Sequence, residues 1–213
     1  MTEEDWKRVI WSDEYSVEKS KDPRTVWVFR TAYEKRDKEC IKTYEKGGEV
    51  KLMVWGCFWG TYWGTFVPLI VKSVDRFVYH DLFENLLSPV LQRVPETIGA
   101  EPIFMEDNST VHKNEVVKEW HDVHGVEVME WPPYSPDMNL IEHLSRRLKE
   151  KIQKMYTGIG DTKGGPERVR KRLAEVPPLV WDTLESEYLD DLWTSMPSRV
   201  CAVIPANGWY TKY

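Results

Sequence analysis

An α/β fold is what this sequence predicts: a mixed sheet covered by helices and followed by a short helical tail. Three observations carry that expectation. The apolar runs before residue 75 are strand-like and are separated by charged or glycine-containing breaks. From Asp75 onward, helical periodicity alternates with short buried runs. Beyond a glycine-rich stretch at residues 158–166, only helical patterns remain. The expected organisation is a core over residues 1–157, a linker over 158–166 and a helical extension of the same domain over 167–213.

In order, residues 7–15 (KRVIWSDEY) read as a strand in which Val9, Trp11 and Asp13 share one face. Residues 19–23 form a charged break, and 26–30 (VWVFR) a second strand. Residues 31–49 are charged, contain Gly47-Gly48 and read as an extended loop or hairpin. Residues 50–58 (VKLMVWGCF) give the strongest strand signal, and 65–71 (TFVPLIV) the next. Between them runs a repeated Trp-Gly pattern at 55-56, 59-60 and 63-64. It reads as a hairpin whose glycines relieve crowding, the alternative being an aromatic binding platform.

Residues 75–93 read as a helix capped by Asp75, with Phe77, Val78, Leu82, Leu86, Leu87 and Val90 at helical spacing. Residues 102–105 (PIFM) read as a buried strand ending at Glu106-Asp107. A helix follows over 114–124, stopped by Gly125, and then a second buried strand over 126–129. The three prolines of residues 131–136 (WPPYSP) forbid helix and demand an extended, rigid loop. An amphipathic helix occupies 139–156, and 167–176 and 179–193 read as two further helices.

The 213 residues are enough to bury a core without disulfides or metals. Hydrophobic residues at 41% and charged residues at 30% exclude a wholly disordered chain. The 11 Trp and 10 Tyr predict a large aromatic core. No apolar run approaches the roughly 18 residues of a membrane span, and the N-terminal sequence MTEEDWKRVI has no signal-peptide core. Three widely spaced cysteines argue against a disulfide framework and for a reducing compartment. A net charge of −6 argues against simple coating of nucleic acid, unless some acids hold metal and so invert the local charge. No cysteine pair accompanies His121, His124 or His143, so zinc is not expected.

Three acids stand out by setting. Asp13 lies on an apolar strand, where an unpaired charge is costly. Asp107 ends a buried strand, and Glu142 lies in the first turn of the helix after the proline loop. Strand ends and helix starts are where sites form in open α/β sheets. Converging carboxylates repel one another. Two Mg²⁺ or Mn²⁺ ions, which prefer hard oxygen ligands, would relieve that and could act on a phosphodiester.

The segments VIWSDEYSV, MVWGCFWG, MEDNSTVHK and WPPYSPDMNLIEHLSRRLK, with the closing SMPSRVCAVIPANGWYTKY, resemble the catalytic domain of Tc/mariner-type transposases over almost the whole chain. The resemblance implies a ribonuclease H-like fold with an Asp-Asp-Glu triad. The last two acids are Asp107 and Glu142, with 34 residues (108–141) between them. It implies that Asp13, Asp107 and Glu142 are catalytic and hold two Mg²⁺ or Mn²⁺ ions. Water would nick a transposon end, and a DNA 3′-hydroxyl would then attack target DNA. It also implies DNA as partner, a homodimer with a clamp-like loop near residues 31–49, no membrane, no small-molecule cofactor, and a nuclear location.

Within that frame Asn108 is expected to orient Asp107 or to touch the DNA backbone. His112 is grouped with it as a DNA contact, the alternative being a hydrogen bond at a helix start. Ser135 and Asn139 are expected to cap turns or the following helix. Arg146, Arg147, Lys151 and Lys154 are expected to contact DNA. Of these, Arg147, Lys151 and Lys154 share a helix face that is either a phosphate track or a solvated surface. A second basic run occupies residues 168–172.

The sequence departs from the family pattern in Glu106 for the usual Gln, Ser109-Thr110 for Ala-Pro, Leu140 for Pro and Ser145 for Trp. No helix-turn-helix reading module is expected before the first strand. The alternative function is an inactive or domesticated transposase-derived domain that binds DNA or protein.

Overall fold

A computed structural model describes residues 1–18, 51–70, 74–132, 135, 138–156, 165–208 and 211. The strand expected at 26–30, the loop at 31–49 and most of the linker lie outside the described residues.

The chain opens with a short helix, α1 (Glu3–Lys7), held by a reciprocal box in which the Thr2 and Asp5 side chains cap each other's backbone N–H. Strand β1 (Val9–Glu18) follows. It pairs antiparallel with β2 (Lys51–Trp59), which pairs antiparallel with β3 (Tyr62–Leu69). On its other edge β1 pairs parallel with β4 (Ile103–Met105), and β4 pairs parallel with β5 (Glu127–Val128). The order β3-β2-β1-β4-β5 is the expected mixed sheet. β5 differs from expectation: it is an edge pair, with Glu127 exposed and Val128 half-buried, not a buried strand.

The β2–β3 hairpin explains the Trp-Gly repeat. A Cβ on Gly64 would lie 2.5 Å from the Cys57 Sγ and 2.6 Å from its carbonyl oxygen. The glycine lets the two backbones approach. Gly60 turns the hairpin at φ +48°.

Period-two alternation splits the core between the two faces of the sheet. The front face carries Val9, Trp11, Tyr15, Val54, Phe58, Ile103 and Met105. It is covered by α5 (Leu140–Met155), α6 (Gly165–Trp181) and α7 (Ser186–Thr194), through side chains such as Leu144, Leu148, Leu173, Val180 and Leu189. The back face carries Ile10, Trp55, Cys57, Trp59 and Phe104. It is covered by α2 (Arg76–Leu82), α3 (Ser88–Ile98) and α4 (Glu115–His124). The chain closes with α8 (Met196–Val203).

Two helices depart from the sequence expectation. The Asp75-capped helix runs to Ile98 and contains a π-helical turn over Phe83–Leu87. Pro89 follows at once; it brings no N–H and its ring crowds the carbonyl four residues back, so the ladder widens instead of breaking. α6 runs straight through Pro177-Pro178, where the sequence predicts two separate helices. Val176, Pro177, Val180 and Trp181 are all buried, and that packing outweighs the poor helical propensity. Among the described residues, no helix is long and apolar enough to cross a membrane.

Candidate active site

Asp13 stands in the middle of β1, opposite Gly56 of β2 and on the front face with Val9 and Trp11. Trp11 is fully buried, stacked on Trp6 at 6.0 Å and edge-on to Trp131 at 5.9 Å, so the backbone that carries Asp13 is fixed. Asp107 leaves the C-terminal end of β4, whose three residues are all buried. Glu142 lies in the first turn of α5, whose start is set by Asn139: its Oδ1 accepts from the Ile141 N–H. The same side chain donates through Nδ2 to Asp13 Oδ2 at 3.2 Å. The helix start is thereby tied to the first acid.

These three acids line one cavity of about 390 Å³, together with Asn108, Ser109, Lys113, Trp131, Pro132, Ser135 and Asn139. The remote segments expected to converge do so. Burial, followed by the charges of Glu14, Glu142 and Asp107, pushes the Asp13 carboxyl up to about 8. Asp107 is held below the usual carboxylate range, chiefly by a hydrogen bond from His112 and also by the Ser109 N–H at 2.8 Å. Glu142 receives Ser145 Oγ at 3.5 Å on its carboxylate and at 2.9 Å on its carbonyl. Among the described residues, neither Asp13 nor Glu142 forms an ion pair.

Among the described residues, no three His, Cys, Asp or Glu side chains are drawn together tightly enough to ligate one ion. The acids form the walls of a shared cavity, not a closed coordination shell. Like charges keep apart until a cation joins them, and a cluster of hard oxygen donors with one carboxyl pushed up by burial and by its anionic neighbours fits a divalent cation.

The other expected contacts divide. Asn108 lines the cavity, and its amide donates to the Trp131 carbonyl, joining the β4 end to the proline loop. His112, expected as a DNA contact, is buried. Its Nδ1 meets Asp107 Oδ1 at 2.8 Å and the Asp107 carbonyl at 3.0 Å, so the local hydrogen-bond alternative is the one adopted. Burial alone would lower its pKa, but the Asp107 hydrogen bond and the Glu106 and Glu14 carboxylates lift it to about 9. Arg146, Arg147, Lys151 and Lys154 do not line the cavity. Arg146 pairs with Glu150 at 3.4 Å, Arg147 lies over the Tyr188 ring at 5.6 Å, and Lys151 reaches the Thr183 carbonyl and Glu185. Lys154 is exposed.

Three participants are not evident in the sequence. Lys113 lines the cavity beside the acids. Glu14 is pushed up to about 7, by burial first and then by Asp107 and Glu106 against the opposing effect of His112. Trp131 packs the proline loop onto Trp11. Their only sequence signal is adjacency to residues already singled out.

Residues 8–161 match the family model described as DDE superfamily endonuclease. The chain is 33% identical to the Transposable element Tc1 transposase of Caenorhabditis elegans over 99% of this chain and 72% of that protein. It is 31% identical to the Tcb2 transposase of Caenorhabditis briggsae, again covering 99% of this chain and 72% of the relative. Among solved structures, a pre-cleavage Mos1 transpososome aligns with TM-score 0.73 at 16% identity, over 98% of this chain and 58% of that one. The Mos1 transposase paired-end complex with left transposon end aligns with TM-score 0.69 at 17% identity, over 96% of this chain and 56% of that one. The Mos1 transposase catalytic domain with Raltegravir and Mn aligns with TM-score 0.67 at 18% identity, over 97% of this chain and 86% of that one. These likenesses bear out the ribonuclease H-like fold.

Proposed function

Because the chain belongs to the DDE superfamily endonucleases, on their Tc/mariner transposase branch, we propose that it cuts and joins DNA phosphodiesters in the cavity between β1, β4 and α5. The observation that carries this reading is the convergence of Asp13, Asp107 and Glu142 on that one cavity. Two bound Mg²⁺ or Mn²⁺ ions would supply Lewis acidity for an attacking water or 3′-hydroxyl and offset charge on the leaving oxygen.

The chain's own contribution is position and charge, with no covalent intermediate. Asp13 offers its carboxylate from the central strand of the sheet, restrained by the Asn139 amide. Asp107 is oriented by the Ser109 N–H and by His112. Glu142 is carried by the capped start of α5, so its approach depends on where the proline loop delivers that helix. Lys113 and Asn108 line the cavity wall, where they would meet a phosphate backbone.

Support for a DNA substrate and for divalent metal comes from the Mos1 relatives, solved with a transposon end, with Mg and with Mn. The chain spans 72% of the nematode relatives and 56% of the Mos1 chain in its paired-end complex, so end recognition and the complete reaction are part of the proposal. So are a homodimer that holds DNA ends and work in the nucleus. An inactive, merely binding descendant is the less favoured reading, because all three acids are in place.

The test is nicking of supercoiled plasmid. Cleavage should require Mn²⁺ or Mg²⁺ and disappear in Asp107→Ala. Strand-joined products should appear when pre-cut ends are supplied. Nicking that persists without divalent metal, or in Asp107→Ala, overturns the proposal.

A further inference from the structure

On the back face of the sheet, Glu14, Glu106, His112 and His121 are four titratable side chains that do not line the front cavity. They pair as His112 with Glu14 and His121 with Glu106, and Glu106, His112 and His121 share a second cavity of about 360 Å³ with Asp107. At the end of β4, alternation directs Glu106 and Asp107 to opposite faces. Glu106 goes to the back, where its Oε1 lies 3.4 Å from His121 Nε2 of α4. Asp107 goes to the front cavity and is met from behind by His112.

The geometry at His112 is specific. One ring nitrogen, Nδ1, lies 2.8 Å from Asp107 Oδ1 and 3.0 Å from the Asp107 backbone carbonyl. A single N–H shared by two acceptors of one residue fixes the rotation of that side chain as well as its place. The ring is wedged against Tyr79, with centroids 4.6 Å apart, and its side chain is 4% exposed. Its other nitrogen, Nε2, lies 3.9 Å from Glu14 Oε2. That Nε2 and Glu14 Oε1 are both buried without a hydrogen-bond partner. Buried polar atoms are costly to leave unpaired unless the arrangement serves something else.

We infer that His112, backed by Glu14, is a positioning residue that aims the Asp107 carboxylate into the front cavity, while His121 keeps Glu106 out of it. This rests on the reading of that cavity as the metal-binding active site. Partners that orient a ligating carboxylate from behind change metal affinity by about 10- to 100-fold when removed.

The experiment titrates Mn²⁺ into the full chain, reads free Mn²⁺ by electron paramagnetic resonance, and follows thermal melting in parallel. His112→Phe retains a ring against Tyr79 but removes both nitrogens. It should weaken Mn²⁺ binding by at least about tenfold. His112→Asn, whose amide can still donate to Asp107, should recover part of the loss. Glu14→Gln should weaken binding less than His112→Phe, and Glu106→Gln should leave it at the wild-type value. If His112→Phe fails to fold, His112→Asn and Glu14→Gln carry the test, and wild-type affinity in both overturns the inference. A folded His112→Phe that binds Mn²⁺ like wild type overturns the inference alone. A wild-type chain that binds no Mn²⁺, or an Asp13→Ala variant that binds it undiminished, overturns the active-site reading itself.

Discussion

The two faces of the sheet treat their carboxylates in opposite ways. On the back, Glu106 and Glu14 each face a histidine of the same chain, His121 at 3.4 Å and His112 at 3.9 Å. On the front, the donors that Asp13 and Glu142 receive among the described residues are neutral: the Glu14 N–H, Asn139 and Ser145. Asp107 belongs to both, lining the front cavity while bonded from behind. The back-face acids are met by histidines of the chain, and the front acids line a cavity that a cation would enter in the proposed reaction. Burial raises a carboxyl on each face, Asp13 to about 8 and Glu14 to about 7, whereas the His112 hydrogen bond holds Asp107 down.

The largest way to break this contrast is to remove a front acid. Asp13→Asn or Glu142→Gln should lower divalent-dependent nicking by roughly 10³-fold, since metal stabilisation of a transition state is worth several kcal/mol. Circular dichroism should report an unchanged fold, and near-normal cleavage in either variant would sink the assignment.

The next effect is on stability. An acid whose native pKa exceeds its unfolded value binds its proton more tightly when folded, so stability falls as pH rises between the two values. For Asp13 that window runs from 3.8 to about 8. The metal-free chain should therefore lose roughly ten degrees or more of Tm across it, at about 1.4 kcal/mol per pKa unit and about 2–4 °C per kcal/mol for a chain of this size. Added Mn²⁺ should flatten the profile near neutrality. Melting curves at stepped pH check both, and a Tm that rises through the window contradicts the electrostatic picture.

Asn139→Ala should cost about 1 kcal/mol through the lost cap and should lower activity further by releasing Asp13. Asn139→Ser keeps a capping oxygen but is too short to reach Asp13 as the amide does. It should therefore recover stability without recovering cleavage. Denaturant melts paired with nicking assays separate the two roles.

Smallest is the difference between two lysines. Lys151 is committed to Glu185 and the Thr183 carbonyl, so Lys151→Ala should cost under about 1 kcal/mol and leave the salt dependence of DNA binding unchanged. Lys113→Ala, at the cavity wall, should reduce the salt slope by about 1.

Much of this architecture is legible in the sequence. Asp13 declares its face because Val9 and Trp11 precede it at period two. Asp107 does so because the buried run ends at its neighbour Glu106, and α5 begins at Asn139 because that residue can cap. What stays hidden depends on contacts between distant segments. The spacing of Arg147 and Lys151 on one face cannot reveal that Tyr188 and Glu185 meet them. His112 cannot be read as internal without knowing that Tyr79 and Glu14 close around it. Pro177-Pro178 reads as a break because local propensity takes no account of the core that buries Pro177 between Val176 and Val180. The brevity and exposure of β5 are hidden because an apolar run does not say whether it lies at an edge.

The widened turn at Phe83–Leu87 makes the back of the molecule sensitive to chain length in a way its composition does not suggest. Phe83 and Leu87 both face the sheet, and Val90 and Val94 follow in phase with them. Deleting one residue from this turn would allow ordinary helical bonding but rotate everything downstream by about 100°. Val90 and Val94 would swing out toward water, and the register that delivers the chain to β4, and so to Asp107, would be lost. Neutral substitutions should be tolerated along much of this helix, but single-residue insertions or deletions here should not.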